Sequence, residues 1–282
     1  MLISHETPIS FYSEVSQHFD YDYCLVHLLD DPAFDYAYSS KYRSIFKNAL
    51  RNNREVFLDN SIFELGEAYD SKKFVNHIQD LKPTVYIIPD VLDNAEATMD
   101  SFSIFTKTYS DLPGMKMGVV QGKNIDEVFE CYKFMSEFAD YIAISFDSAV
   151  YDHIAMGHNK LQKLRRGRPQ LVQMLMSYGL WNYDKPHHAL GMGHLTEFKY
   201  YSSKRVFRSI DTSNPIMAAI KGQTYLDGIG TVPYSKASDK LADYMFMDPT
   251  EVILKEGYSL TQKMISNVRT FSNTLWKFDH MK

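Results

Sequence analysis

The chain has 282 residues, of which 45% are hydrophobic and 23% charged, with a net charge of -5 and a sequence pI near 6.1. These values suit a soluble globular protein with one large core. They exclude broad nonspecific nucleic-acid binding, which needs clustered positive charge, and the two cysteines, Cys24 and Cys131, exclude a disulfide framework or a cysteine-rich zinc site.

No apolar run approaches the ~20 residues of a membrane helix. The first residues, MLISHETPIS, lack the basic start and apolar stretch of a signal peptide, so a cytoplasmic protein is expected. The 20 Tyr and 18 Phe are read as core and surface residues ahead of any stacking role. Both cysteines lie in apolar runs and are expected to be buried and inert.

In chain order, LIS (2–4) is a short candidate strand and YCLVHLL (23–29) a clearer one. A helix is predicted over 39–53, a strand at VFLD (56–59), and a helix from a Ser71 cap to Leu81. TVYIIPD (84–90) reads as a strand and is followed by a helix from 95 to 109, with Asp93 as a candidate cap. KMGVVQG (116–122) is a strand, 125–138 a strongly periodic helix, and DYIAISF (140–146) a strand. A long helical region covers 158–178, a strand 187–192, a short helix 195–202 and a last strand 205–211. Pro215 suits the first turn of the helix after it.

This alternation predicts a TIM-type (β/α)8 barrel over 1–222, with 223–282 as a C-terminal extension packed on it in a single domain. Its helical stretches are expected at 249–256 and 259–278. An open doubly wound sheet is the competing architecture. The barrel is favoured because polar residues end five or more strands, and strand ends share one active-site face in a barrel.

Three of those endings are acids: Asp59 in LDNS, Asp90 in PDVLD and Asp211 in SIDTSNP. Each has a plain structural alternative as an Asx turn or helix cap, although Thr212, Ser213 or Asn214 would serve equally well as a cap beside Asp211. Gln121 closes an apolar strand, where packing explains an amide poorly; its paired donor and acceptor suit a nucleobase edge. Gly122 would let a flat ligand approach the backbone. Ser145 ends the next strand, and Asp147 is a pocket acid or a loop cap. In HHALGMGH, the spacing of His187, His188 and His194 fits no zinc pattern, and Leu190, Gly191 and Gly193 suggest a wall against a planar ring. Lys160, Lys163, Arg165, Arg166 and Arg168 form a basic run, either a solvated helix face or a contact for a phosphate backbone. P-loop, Rossmann and GxSxG signatures are absent.

Taken in order, LDNS, PDVLD, VVQG, HALGMG and SIDTSN resemble segments of the tRNA-guanine transglycosylase superfamily over residues 55–215. The resemblance implies a base-exchange enzyme with no metal or redox cofactor. Asp211 would be the nucleophile, and Asp59 the general acid/base. Asp90 and Gln121 would read the base, with Gly122, Ser145, Leu190 and Gly191 around it. Ser145 and Phe146 stand where the family has a glycine pair. At the nucleophile strand the family's D-x-x-D reads D-T-S-N, so Asp211 matches the first position and Asn214 the catalytic one; Asp211 is taken as the nucleophile because it is the only carboxylate available there. The absence of a zinc-binding cysteine cluster is similar to the DNA-modifying (DpdA-like) branch of phages and genomic islands, which inserts 7-deazaguanines such as preQ0. DNA is therefore the favoured partner ahead of tRNA, with Lys160, Lys163, Arg165, Arg166 and Arg168 holding the strand. A noncatalytic nucleic-acid-binding homologue and a small-nucleoside hydrolase are the alternatives.

Overall fold

A computed structural model describes residues 1–30, 36–157, 159–193, 195–201, 206–225 and 259–280. Its strands are short and rich in Val, Ile, Phe and Tyr. Most are buried on both faces, as parallel strands between helices must be. They are β1 Leu2–Ser4, β2 Asp22–Leu25, β3 Val56–Asp59, β4 Val85–Ile87, β5 Met115–Val120, β6 Tyr141–Ser145, β7 His187–Leu190 and β8 Ser209–Asp211.

All ladders are parallel, in the order β1-β8-β7-β6-β5-β4-β3-β2. Asp20 bridges the remaining seam. Its N–H donates to the Ile3 carbonyl at 2.9 Å, and its Oδ2 accepts from the Ile3 N–H at 2.9 Å. The eight strands thus form a nearly closed (β/α)8 barrel, and LIS is its first strand.

The helices are α1 Ile9–Val15, α2 Tyr36–Arg51, α3 Ile62–Leu65, α4 Ser71–Leu81, α5 Ala95–Thr108, α6 Ile125–Phe138, α7 Tyr151–Ile154, α8 Lys160–Ser177, α9 Asn214–Ile220 and α10 Leu260–His280. Four start on a side-chain oxygen that accepts a backbone N–H three residues on: Asp70 for α4, Asn94 for α5, Asn124 for α6 and Asn159 for α8. Two caps therefore differ from expectation. Asp70 replaces Ser71, and Asn94 replaces Asp93, whose φ of 53° places it in the left-handed region before the helix.

The aromatic excess fills the barrel. Tyr21 lies 4.4 Å from Phe57 between ring centroids, Phe57 lies 5.7 Å from Tyr141, and Tyr23 stacks on His188 at 6.2 Å. The strand predicted over 23–29 stops at Leu25 and becomes a 3-10 turn at Val26–Leu29. Val26, Leu28 and Leu29 are apolar because the turn packs against α2 and α4, not because they pair. The 195–202 segment is likewise a 3-10 turn, Leu195–Tyr200. The helix expected at 249–256 lies outside the described residues.

Helix α10 buries Leu260, Met264, Val268, Phe271 and Leu275 against α9 and α1, a 3.6-residue stripe. Phe271 meets His5, just after β1, edge-on at 5.3 Å. Burial pulls the His5 imidazole down to about 3, so it is neutral at physiological pH. Phe271→Ala is expected to cost about 3–5 kcal/mol, read from the urea midpoint, because it opens a cavity beside this neutral ring. A loss below about 1 kcal/mol would show that α10 is dispensable to the core.

Candidate functional site

Asp59, Ser145 and Asp211 end β3, β6 and β8, Gln121 directly follows β5, and Asp90 lies three residues beyond β4. The barrel turns these ends toward one face. All five line one cleft, about 1070 Å³ including its open mouth, together with Leu190 at the end of β7 and Gly191 just after it.

Each acid has its own set of donors. Asp90 Oδ1 accepts from Asn60 Nδ2 at 2.7 Å, and Oδ2 from Gln121 Nε2 at 2.7 Å. Gln121 Oε1 in turn accepts from the Asp93 N–H at 3.1 Å. The amide is thus oriented by its neighbours and retains one N–H and one lone pair for a ligand. Burial raises the Asp90 carboxyl, and the two amides partly offset this.

Asp59 Oδ2 accepts from the Tyr23 hydroxyl and Oδ1 from the Ser61 N–H, each at 2.5 Å. The second bond is the Asx turn weighed from sequence; the turn and a place in the cleft coexist. It holds Ser61 at a left-handed φ of 57°. Burial, with repulsion from Glu64, pushes Asp59 up to about 8. Asp59 is therefore largely protonated at neutral pH.

Asp211 is 2% exposed. Its Oδ1 accepts from the Gly191 N–H at 2.8 Å and lies 2.9 Å from His188 Nε2. Its Oδ2 has no hydrogen-bond partner among the described residues. Asp211 does not cap α9; Thr212 Oγ1 accepts the Asn214 N–H instead. Asn214 is committed elsewhere, donating to the Gly193 carbonyl and accepting from the Tyr225 hydroxyl.

Two expectations are corrected. Gly122 does not line the cleft. A Cβ there would stand 2.9 Å from the Val128 nitrogen and Cγ2, so the glycine admits the first turn of α6, not a ligand. Arg168 is not on the surface. It is fully buried, with Nε 2.7 Å from Glu197 Oε1 and Nη2 3.0 Å from Oε2. Its Nη1 donates to the carbonyls of Ile144 and Leu190, and its Nη2 to that of Gly191. Arg168 is a brace beneath the cleft wall and cannot reach a phosphate.

The rest of the basic run is mixed. Lys163 Nζ is held by the Asp152 carbonyl and carboxylate, beside an adjoining recess that also includes Asp93 and Asp147. Arg166 donates to the Met156 carbonyl and lies over the Tyr200 ring at 5.4 Å. Arg165 is half-buried. Lys160 starts α8.

The planar ring against the glycine wall proves to be the protein's own. A Cβ on Gly193 would lie 2.7 Å from Phe146, and Gly191 adopts φ 61° beside the same ring. His187 stacks on Trp181 at 3.9 Å, away from the site. Among the described residues no cluster of His, Cys, Asp or Glu is arranged to hold a metal. Burial raises both thiols, Cys131 to about 12.

Sequence reasoning missed Glu6, Glu64 and Phe63 in the cleft. Glu6 lies two residues beyond β1, where the same strand-end logic would have found it. Burial and nearby acids push its carboxyl well above the ordinary range.

No family model matches the chain, and no curated protein matches it. Among solved structures it is similar to a protein from Aquifex aeolicus VF5 described without an activity. That match has 13% identity and a TM-score of 0.44, covering 95% of this chain and 92% of the other. It is also similar to N-(5'-phosphoribosyl)anthranilate isomerase from Pyrococcus furiosus, with 11% identity and a TM-score of 0.41, covering 97% and 99%. Likeness at this level carries no functional weight.

Arg168→Met is expected to lower stability by about 3–5 kcal/mol in urea unfolding, because it leaves Glu197 charged and buried without its partner. A variant as stable as wild type would mean that water reaches the pair.

Proposed function

We propose that the protein is a guanine transglycosylase, exchanging guanine in a nucleic acid, DNA before tRNA, for a 7-deazaguanine. The observation that carries this reading is the division of labour among three acids in one cleft. Asp211 presents an oxygen with no hydrogen-bond partner among the described residues, Asp59 holds a proton near neutrality, and Asp90 with Gln121 forms a fixed polar edge.

In the first step an Asp211 carboxylate oxygen bonds to C1′ of the sugar as the C1′–N9 bond breaks. The electron pair leaves on N9 of guanine, and Asp59 supplies the proton. In the second step Asp59 takes the proton from N9 of the incoming base. That nitrogen attacks C1′ and releases Asp211. Asp90 and Gln121 read the flat edge of either base, and Asn60 keeps Asp90 in place. A base within a duplex must first be flipped out, which costs a few kcal/mol.

A second reading has support of its own. Glu6 and Glu64 add acids to the cleft, and Arg168 is withdrawn from the phosphate-binding set, both of which suit an uncharged nucleoside. Under that reading the same residues cleave small nucleosides and release free guanine without any polymer.

Incubation with labelled guanine and either duplex DNA or tRNA tests the proposal, with nucleoside mass spectrometry of the polymer as the readout. Label in neither polymer, with guanine released from guanosine, would transfer the assignment to the nucleoside reading. Asp211→Asn is expected to lower exchange by at least about 10³-fold. For Asp59 the sign follows from its role as donor. The kcat/KM for guanine release is expected to fall above pH about 8 as Asp59 loses its proton. Asp59→Asn removes that alkaline fall and lowers the rate at pH 7 by about 10²-fold or more.

A further inference from the structure

A buried line of polar groups runs back from Asp211 into the barrel and has no part in the steps above. His188 Nε2 lies 2.9 Å from Asp211 Oδ1, and His188 Nδ1 lies 2.8 Å from Ser209 Oγ. Ser209 Oγ is 2.6 Å from the Tyr141 hydroxyl. His188 and Ser209 are fully buried, and Tyr141 is 1% exposed. The strands dictate the arrangement. Ser209 and Asp211 are two residues apart on β8 and share a face, and His188 on β7 is in register with Ser209.

Donor accounting gives the line a direction. A carboxylate only accepts, so His188 Nε2 carries the hydrogen that faces Asp211. His188 Nδ1 is then free to accept from the Ser209 hydroxyl, and Ser209 to accept from Tyr141. Each hydroxyl and ring N–H in the line points toward Asp211. The other donor on Oδ1 is the Gly191 N–H, whose loop Arg168 braces.

We infer that His188, with its tautomer fixed by Ser209 and Tyr141, is a positioning residue: it clamps Asp211 Oδ1 so that Oδ2 faces the sugar carbon. This rests on the reading of Asp211 as nucleophile. A histidine that merely packed the barrel would have no need of an orienting hydroxyl on one nitrogen and a cleft acid on the other.

Two variants separate positioning from packing. His188→Phe keeps ring volume and removes the donor, whereas His188→Gln keeps an N–H near the Nε2 position. In the base-exchange assay, His188→Phe is expected to lower kcat about 100-fold with KM within about threefold, and His188→Gln to recover at least tenfold of that loss. Equal kcat in wild type and His188→Phe, with exchange intact, overturns the inference and leaves the transglycosylase reading standing. Wild-type protein that exchanges no base overturns the parent reading instead.

A measurement independent of activity covers a variant that fails to fold. Nitrogen-15 spectra of histidine-labelled wild-type protein are expected to show the His188 ring protonated at Nε2 and bare at Nδ1. Ser209→Ala is expected to loosen that preference. A ring protonated at Nδ1 in the wild type overturns the inference, whatever the assay shows.

Discussion

Carboxylates gathered at one end of a parallel barrel cannot all keep their charge at low cost. In a site poorly reached by water, like charges repel strongly and each anion loses hydration. The described structure answers by giving each acid a different set of donors. Asp90 receives two side-chain amides, which fix it without adding charge. Asp59 receives a phenol and a backbone N–H, yet its burial and Glu64 still favour the protonated form. Among the described residues Asp211 receives donors on Oδ1 alone. The three acids thus differ chemically because their hydrogen-bond donors differ, and the proposed roles of acid, edge reader and nucleophile rest on that difference. Any chemistry in the cleft inherits that division.

The donors must themselves be held. Gly191 can donate to Asp211 only while the β7 end keeps its course, and Arg168 secures that course by binding the carbonyls of Ile144, Leu190 and Gly191. A buried guanidinium is costly alone but has its countercharge in Glu197, which Tyr201 also contacts. With five donors in a rigid fork, arginine can span two strand ends and a carboxylate together; lysine cannot. The brace therefore links helix α8 to the geometry of an acid on β8.

The order of strands and helices was legible because each strand is a short apolar run between turn residues. The convergence of Asp59, Asp90, Gln121 and Asp211 followed from the barrel itself. Arg168 was misread because its charge was weighed within a basic cluster. Its helical phase held the better signal, since Arg168 shares a stripe with Leu171, Val172 and Leu175, all buried. Gly122 was misread because a glycine records that something approaches, not what. At Gly122 the neighbour is Val128, and at Gly193 it is Phe146. The 3-10 turn at Val26–Leu29 was illegible because burial against helices selects the same apolar residues as strand pairing. The His188–Ser209–Tyr141 line depends on register between strands distant in sequence, which no single run encodes.

The acidic cleft looks ill suited to a polyanion, and its raised acids bear on that conflict. A phosphate near five charged carboxylates would be repelled, with screening over roughly 8 Å at physiological salt. Burial shifts Asp59 and Glu6 toward their neutral forms, so the field at the mouth is weaker than the count of acids implies. A flipped base would also place its ring among the acids and leave its phosphates outside the cleft. Under the proposed base exchange, the burial that keeps a proton on Asp59 would thus also reduce the repulsion of the chain that carries the base. On that proposal one physical cause would serve both the chemistry and the approach of the substrate.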